Sequence, residues 1–287
     1  MIPVNFIFSS PIYDLSPRRK NMDIQDVLEK YKNGELTIEE ASENIHSLGF
    51  LAVSDIAKID TARCRRTGVP EAILAEGKED DDLIMILKAH AAAGKRSLVT
   101  RVSRTQYEKI TAAFSPEQIE AGRYGTTIVV HNGRMTPDTI RKTGGVVAVI
   151  SAGTADIRIA EEACMTAREM GCETVEIYDV GVAGYHRLIL EMHKLEEAEP
   201  DAIVVAAGRE GTLPTVVAGI IDAPVIGLPV STGYGAGAGG KAALYAMLQS
   251  CSVISVVNID AGFTAGACAA GIANRAAAAR RSAGKPA

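Results

Sequence analysis

Tryptophan is absent from the 287-residue chain, and aromatic residues of every kind make up only 5% of it. That leaves no row of exposed rings on which a single-stranded nucleic acid could stack. A basic excess is missing as well: 30 Lys and Arg stand against 35 Asp and Glu, a formal net charge of −5. Nucleic-acid and anionic-membrane surfaces carry the opposite balance, so neither partner is expected. No run of about 18 apolar residues occurs, which excludes a helical membrane span. The five cysteines, an odd number with no CxxC spacing, make neither a disulfide framework nor a zinc site. Reduced thiols and a cytoplasmic location are the expectation.

What is present is a globular balance, 47% hydrophobic and 23% charged, with 27 Gly and 11 Pro that suit many tight turns. The length has room for about two domains and for a core that needs no staple. Residues 1–21 read as a flexible extension, or as a start-site artefact with Met22 as the first residue. Their apolar run is broken by Pro3, Asn5 and Pro11, and the basic cluster Arg18-Arg19-Lys20 follows it, the reverse of a secretory signal. Charge thins beyond residue 140 while Gly, Ala and Val rise. The expected organisation is a small amino-terminal α/β domain over 22–135, a linker near 132–144 and a larger α/β domain over 145–287.

In the first part, a helix over 23–32 stops at Asn33-Gly34, and Thr37 with Glu40 forms a capping box for a second helix. Strands are predicted at 56–59, 72–74, 97–102 and 127–131, and helices at 81–93 and 104–114. The second part alternates cleanly. Strands at 146–150, 174–178, 202–206, 225–228 and 254–259 are each followed by a helix, at 156–170, 184–197, 213–221, 239–249 and 265–281. Five such units with continuous apolar strands predict a doubly wound parallel sheet, a flavodoxin-like three-layer sandwich with right-handed crossovers. Ligands of such sheets sit beyond the carboxyl ends of the strands, so chemistry is sought in the turn after each strand.

The first turn holds Ser151, Gly153, Thr154 and Asp156. Its hydroxyls and the free amides of a helix start suit a phosphate, although Thr154 or Asp156 serves equally as a helix cap. Asp156 repels a bare phosphate; it suits ribose hydroxyls, or a Mg²⁺ shared with phosphate. The second turn holds Asp179, Gly181, His186 and Arg187. A cation in the first turn of a helix opposes the dipole, which favours Arg187 facing an anionic ligand; a solvated Arg187 beside a packed His186 is the alternative. The third turn holds Gly208 and Glu210, the latter equally at home as a carboxylate at a helix start. The fourth holds Gly233, Tyr234, Gly235, Gly237, Gly239 and Gly240, too many glycines for a simple turn; it matches neither dinucleotide nor P-loop patterns. The fifth brings Asn258 and Asp260. Cys251 follows a helix, where the dipole disfavours thiolate. By position it reads as a small buried side chain, as do Cys64, Cys164, Cys172 and Cys268.

Taken together, the motifs resemble the aminoimidazole ribonucleotide carboxylases of purine synthesis (PurE type), and more closely their sister family LarB of nickel-pincer cofactor biosynthesis. The marks are Ala152-Gly-Thr-Ala-Asp156, Tyr178-Asp-Val-Gly-Val-Ala-Gly184 with His186-Arg187, Glu210-Gly-x-Leu-Pro214, Gly233-Tyr-Gly235, Leu248-Gln-Ser-Cys251 and Val257-Asn-Ile-Asp-x-Gly-Phe263. Asp60-x-x-Arg63-x-x-Arg66-x-Gly68-x-Pro-Glu71 and Glu76-Gly-Lys78 match in the first part. Ala155, Arg158 and Arg209 depart from the residues the family more often carries.

The resemblance implies carboxylation of nicotinate adenine dinucleotide at C5 of its pyridinium ring. CO₂ is the co-substrate. The phosphoanhydride is hydrolysed to release AMP and pyridinium-3,5-biscarboxylic acid mononucleotide. It also implies Cys251 as covalent nucleophile, Glu210 as its base, no organic prosthetic group and a homo-octamer. The remaining turn residues are expected to bind substrate, with Asp156 or Asp260 as a candidate Mg²⁺ ligand. An electron-poor pyridinium cannot attack CO₂. Addition of a thiolate breaks the aromaticity and makes C5 electron-rich, and loss of the C5 proton with expulsion of the thiolate restores the ring. The alternatives are a PurE-type carboxylase or mutase, and a nucleotide-binding module without turnover.

Overall fold

The structure is a computed structural model that describes residues 24–47, 50–53, 57–60, 63–134, 136–137 and 140–284. The extension expected at 1–21 lies outside these residues. The chain divides into two compact units, 1–50 and 51–287.

In the first unit, α1 (Ile24–Lys32) and α2 (Ile38–Ser47) form a helical hairpin. The reversal uses Gly34 at φ +76°, where a left-handed residue ends the helix at little cost. The expected capping box is present. Glu40 N–H donates to Thr37 Oγ1 at 3.1 Å, and Thr37 N–H donates to Glu40 Oε2 at 2.9 Å.

The second unit holds the larger sheets. Strands β1 (Phe50–Val53) and β2 (Ala57–Asp60) pair with each other. Helix α3 (Arg63–Thr67) leads to a mixed sheet of β3 (Ala72–Leu74), β4 (Ser97–Thr100), β5 (Ile119–Ala121) and β6 (Ile128–Val130), in the order β3-β4-β6-β5. Helices α4 (Asp80–Ala92) and α5 (Arg104–Ala113) connect these strands, and Leu83, Leu87 and Ile110 fill the core beneath them. All four of the expected strands appear near their expected bounds, as β2, β3, β4 and β6. Three elements, β1, α3 and β5, are not expected from the sequence. The Asp60…Glu71 motif turns out to be an ion-pair cluster around α3: Arg66 binds Asp60 through both ends, and Arg63 reaches Glu71 at 3.2 Å.

The large sheet is parallel throughout: β7 (Val146–Ser151), β8 (Glu173–Ile177), β9 (Ala202–Ala207), β10 (Val225–Pro229) and β11 (Ile254–Val256), in the order β11-β10-β9-β7-β8. Read along the chain this is 2-1-3-4-5, the flavodoxin order, with its switch point between β7 and β9. Alternate residues face opposite layers. Val147, Val149, Val204 and Leu228 pack under α6 (Ile157–Glu169) and α10 (Gly262–Ser282). Ile150, Ile203 and Val205 pack under α7 (His186–Ala198), α8 (Leu213–Ala218) and α9 (Lys241–Leu248). Both faces are covered, which is why the strands read as unbroken apolar runs.

Helices α6 and α10 come unusually close. A Cβ on Gly266 would stand 2.3 Å from the carbonyl oxygen of Ala163, and one on Gly262 would stand 2.6 Å from that of Ile159. Only glycine permits this approach. Glu162 of α6 accepts the Phe263 N–H at 2.9 Å and so caps α10. Burial pushes that carboxyl above its usual pKa.

Two expected elements end early. Helix α8 stops at Ala218, before Gly219, rather than at 221, and β11 stops at Val256 rather than at 259. Beyond it the chain follows β10 for a few more residues, with Val257 N–H donating to Gly227 O and Asp260 N–H to Pro229 O, before it turns into α10.

Candidate active site at the carboxyl edge

The switch point brings the first, third and fourth turns together. Asp156 is 5% exposed and holds the cluster through both carboxylate oxygens. Oδ2 accepts the Gly153 N–H at 2.9 Å, and Oδ1 accepts the Thr232 hydroxyl at 2.6 Å. Gly208 lies against this pair: a Cβ there would meet Thr232 Oγ1 at 2.4 Å and Asp156 Oδ1 at 3.1 Å. The Gly153 N–H is thus occupied by Asp156 and is not among the free helix-start amides, because a carboxylate outcompetes water for such a donor. Thr232, absent from the expected ligand set, is the residue that locks the fourth turn to the first.

The second and fifth turns join at the margins. The buried Ser151 hydroxyl accepts the Asp179 N–H at 3.2 Å. Asp179 Oδ2 accepts Arg187 Nη1 at 2.7 Å, so the cation opposed to the helix dipole is held by a neighbouring carboxylate. Gly181 is packed so closely that a Cβ would stand 2.8 Å from Ala152 O. Asp260 Oδ1 accepts the Ser231 N–H at 2.9 Å. Arg101, at the end of β4, donates to Glu76 Oε2 at 2.9 Å and to the Asp260 carbonyl at 3.2 Å. The Glu76-Gly-Lys78 motif therefore buttresses the site from the smaller sheet.

Other expected residues stay open to solvent. His186 and Thr154 are exposed, and Asn258 turns its side-chain oxygen back to the Ile259 N–H. Tyr234 is exposed and lies over Arg209, whose guanidinium carbon is 4.5 Å from the ring centroid. Gly233 fits against the Arg209 backbone, and Gly235 takes φ +74°. Glu210 is exposed and makes no hydrogen bond or ion pair among the described residues.

Backbone strain concentrates at this edge. Among the described residues, five non-glycine residues have positive φ, and four of them follow strands: Arg101 (+53°), Asp179 (+60°), Arg209 (+46°) and Asp260 (+55°). Left-handed backbone costs a side-chain-bearing residue about 1–2 kcal/mol, and such strain gathers at functional sites.

Cys251 is elsewhere. It lies in the turn between α9 and β11, hence at the amino edge of the sheet, whereas Glu210 follows β9 at the carboxyl edge. The register sets Ile254 level with Val225 and Val225 level with Ile203, four residues below the end of β9. One chain does not bring the thiol to the carboxylate. Nor is Cys251 buried as its position suggests: the turn is pinned by Ser250 and Ser252 to Thr215, which leaves the intervening side chain facing out. Cys64 and Cys268 are exposed too, and only Cys164 and Cys172 are buried as expected. Burial pushes the Cys164 thiol up to about 12 and the Cys172 thiol up to about 11.

Among the described residues no three His, Cys, Asp or Glu side chains are placed to hold a metal ion together. Asp156 and Asp260 are single donors at separate points, a set that suits Mg²⁺ only where substrate phosphates supply further ligands. Among the same residues no helix is long and apolar enough to cross a membrane.

Comparison with known proteins agrees with this architecture. Residues 51–131 match the LarB/PurE-like N-terminal domain, and residues 146–284 match AIR carboxylase. The chain is 36% identical over 250 residues to an uncharacterised protein of Methanocaldococcus jannaschii, covering 85% of this chain and 94% of that one. It is 35% identical over 88 residues to the N5-carboxyaminoimidazole ribonucleotide mutase of the same organism, covering 30% of this chain and 52% of the mutase. A PurE-like carboxylase domain placed behind this amino-terminal domain makes the chain a member of the LarB family.

Proposed function

We propose that the chain carboxylates C5 of the pyridinium ring of nicotinate adenine dinucleotide with CO₂. It then hydrolyses the phosphoanhydride to release AMP and pyridinium-3,5-biscarboxylic acid mononucleotide. The Cys251 thiolate adds to the ring, C5 takes up CO₂, the C5 proton leaves to a base, and the thiolate departs. No oxidant is consumed, because a ring proton is exchanged for a carboxylate. Glu210 is the base that takes the thiol proton, and Arg187 with the helix-start amides after Gly153 neutralises phosphate charge. Asp260, whose Oδ2 makes no hydrogen bond among the described residues, would be the residue to hold a Mg²⁺, and the ion would supply neutralisation of substrate phosphate charge.

The observation that carries this reading is that Cys251 is solvent-facing in a family whose fold supports carboxylation. A buried, high-pKa thiol could not serve. Because Cys251 and Glu210 occupy opposite sheet edges, the reading requires a homo-oligomer in which one copy's Cys251 turn covers another's carboxyl edge. The surface around that turn suits burial against a second copy: Tyr245, Leu248 and Val253 are 60, 62 and 95% exposed.

Incubation with nicotinate adenine dinucleotide and bicarbonate, followed by mass analysis, is expected to yield AMP and the dicarboxylated mononucleotide. Cys251→Ala should abolish both products while the circular dichroism is unchanged. A second reading, a carboxylase or mutase of aminoimidazole ribonucleotides, draws on the likeness to the mutase. Turnover of an aminoimidazole ribonucleotide with none of the dinucleotide would select it.

A further inference from the structure

A groove of about 610 Å³ runs between the start of α5, the turn after β5 and the first turn of α6. The chemistry above leaves it unused. Tyr107 and Tyr124 supply its aromatic walls. Tyr124 is 40% exposed, and the Arg158 guanidinium carbon stands 5.1 Å from its ring centroid. Tyr107 packs against Gly125, which has φ +65° and where a Cβ would stand 3.0 Å from the ring. A side chain there would push the ring away.

Polar groups line the same space. The Thr126 hydroxyl is buried and has no hydrogen-bond partner, which in a folded protein calls for a ligand or an ordered water. Ser103 opens α5 at the groove wall, capping it through Gln106 N–H at 3.2 Å. Arg104 is tied to Glu108 at 3.2 Å. Arg158 makes no ion pair among the described residues, so its charge is available to an anion.

The position is as telling as the lining. Arg158 stands two residues beyond Asp156, and Val102 follows Arg101, whose guanidinium touches the Asp260 carbonyl. The groove therefore lies beside the carboxyl edge.

We propose that this groove holds the adenosine 5′-phosphate half of the dinucleotide, with the base on the tyrosines and the phosphate toward Arg158. The inference rests on the dinucleotide reading and assigns the smaller sheet a binding role. Flat rings beside a guanidinium are the sequence-tolerant way to hold a base.

The test is calorimetry with 5′-AMP on the full chain, compared with Tyr124→Ala, Tyr124→Phe and Arg158→Ala. Tyr124→Ala and Arg158→Ala are expected to weaken AMP binding about tenfold or more, the scale of one lost base stack, and Tyr124→Phe is expected to retain most of it. With the dinucleotide, KM should rise in the two alanine variants by more than kcat falls. No AMP binding by the unaltered chain, or equal binding by all four proteins, overturns the proposal. Tyr124-dependent AMP binding in a chain that never turns over the dinucleotide would sustain the groove as an adenylate site and remove the dinucleotide reading.

Discussion

Arg96 joins the small sheet to the large one, and its removal should be costly. Its Nε donates to Glu169 Oε2 at 2.9 Å, and its Nη2 donates to Glu169 Oε1 and Glu120 Oε1, each at 2.7 Å. The Arg96 and Glu169 side chains are only 8 and 7% exposed. Burial opposes the guanidinium charge, but the two carboxylates more than offset this and hold its pKa above the usual value. Arg96→Met keeps the apolar stem and strands Glu169 without a cation. Breaking a buried pair from one side costs about 3–5 kcal/mol. At about 2–4 °C per kcal/mol for a chain of this size, the melting temperature should fall by roughly 6–20 °C. The assay is thermal and guanidinium unfolding at pH 7, followed by far-ultraviolet circular dichroism. Arg96→Met with Glu169→Leu should recover most of the loss, because the orphaned charge is gone. A loss under about 1 kcal/mol, or a double variant no better than the single, would refute the reasoning.

Three further outcomes are expected. Cys251→Ala and Glu210→Gln chains, each impaired alone, should regain activity when co-refolded, since mixed oligomers assemble some sites with both groups intact; recovery no greater than the sum of the separate activities counts against a shared site. A thiol reagent should modify Cys251 in the native protein, while Cys164 and Cys172, raised to about 12 and about 11 by burial, should react only after unfolding, as mass mapping would show. His90, buried against Ser97 at 2.6 Å, has its pKa lowered from 6.5 to about 4, first by burial and then by Lys95. The unfolded chain takes up that proton below about pH 6.5 and the folded chain only near pH 4, so stability is full above this window and falls within it as pH drops, by up to about 3 kcal/mol. His90→Gln should flatten that slope in denaturant titrations at pH 5 and 7.

Much of this was legible because parallel strands covered on both faces leave an unbroken apolar signature. Each of β7 to β10 lies within a residue or so of its expected bounds, and the turn chemistry after β7 and β9 marked Asp156 and Gly208, as that after β11 marked Asp260. The smaller sheet was harder. Strand β5 is three residues long, Ile119–Ala121, and pairs only with β6, so its conformation comes from tertiary pairing and not from a local pattern. Thr232 carries no signal beyond its hydroxyl, and Arg101 none beyond its place at a strand end. The separation of Cys251 from Glu210, by contrast, is implicit in the alternation: a residue between a helix and the next parallel strand belongs to the amino edge, whatever its chemistry. Burial of Cys251 failed as an expectation because a helix C-terminus says nothing about which way the following turn faces.

The four left-handed residues at the strand ends bear on how this protein could be hardened. Glycine at Asp179, Arg209 or Asp260 would relax the local backbone, and a selection for heat tolerance alone would drift toward such changes. Each would also delete a side chain that ties one turn to the next or faces the ligand crevice. Durability and proficiency therefore pull in opposite directions at the same few positions, and improvements sought for one are best confined to residues outside these turns and outside the Cys251 turn.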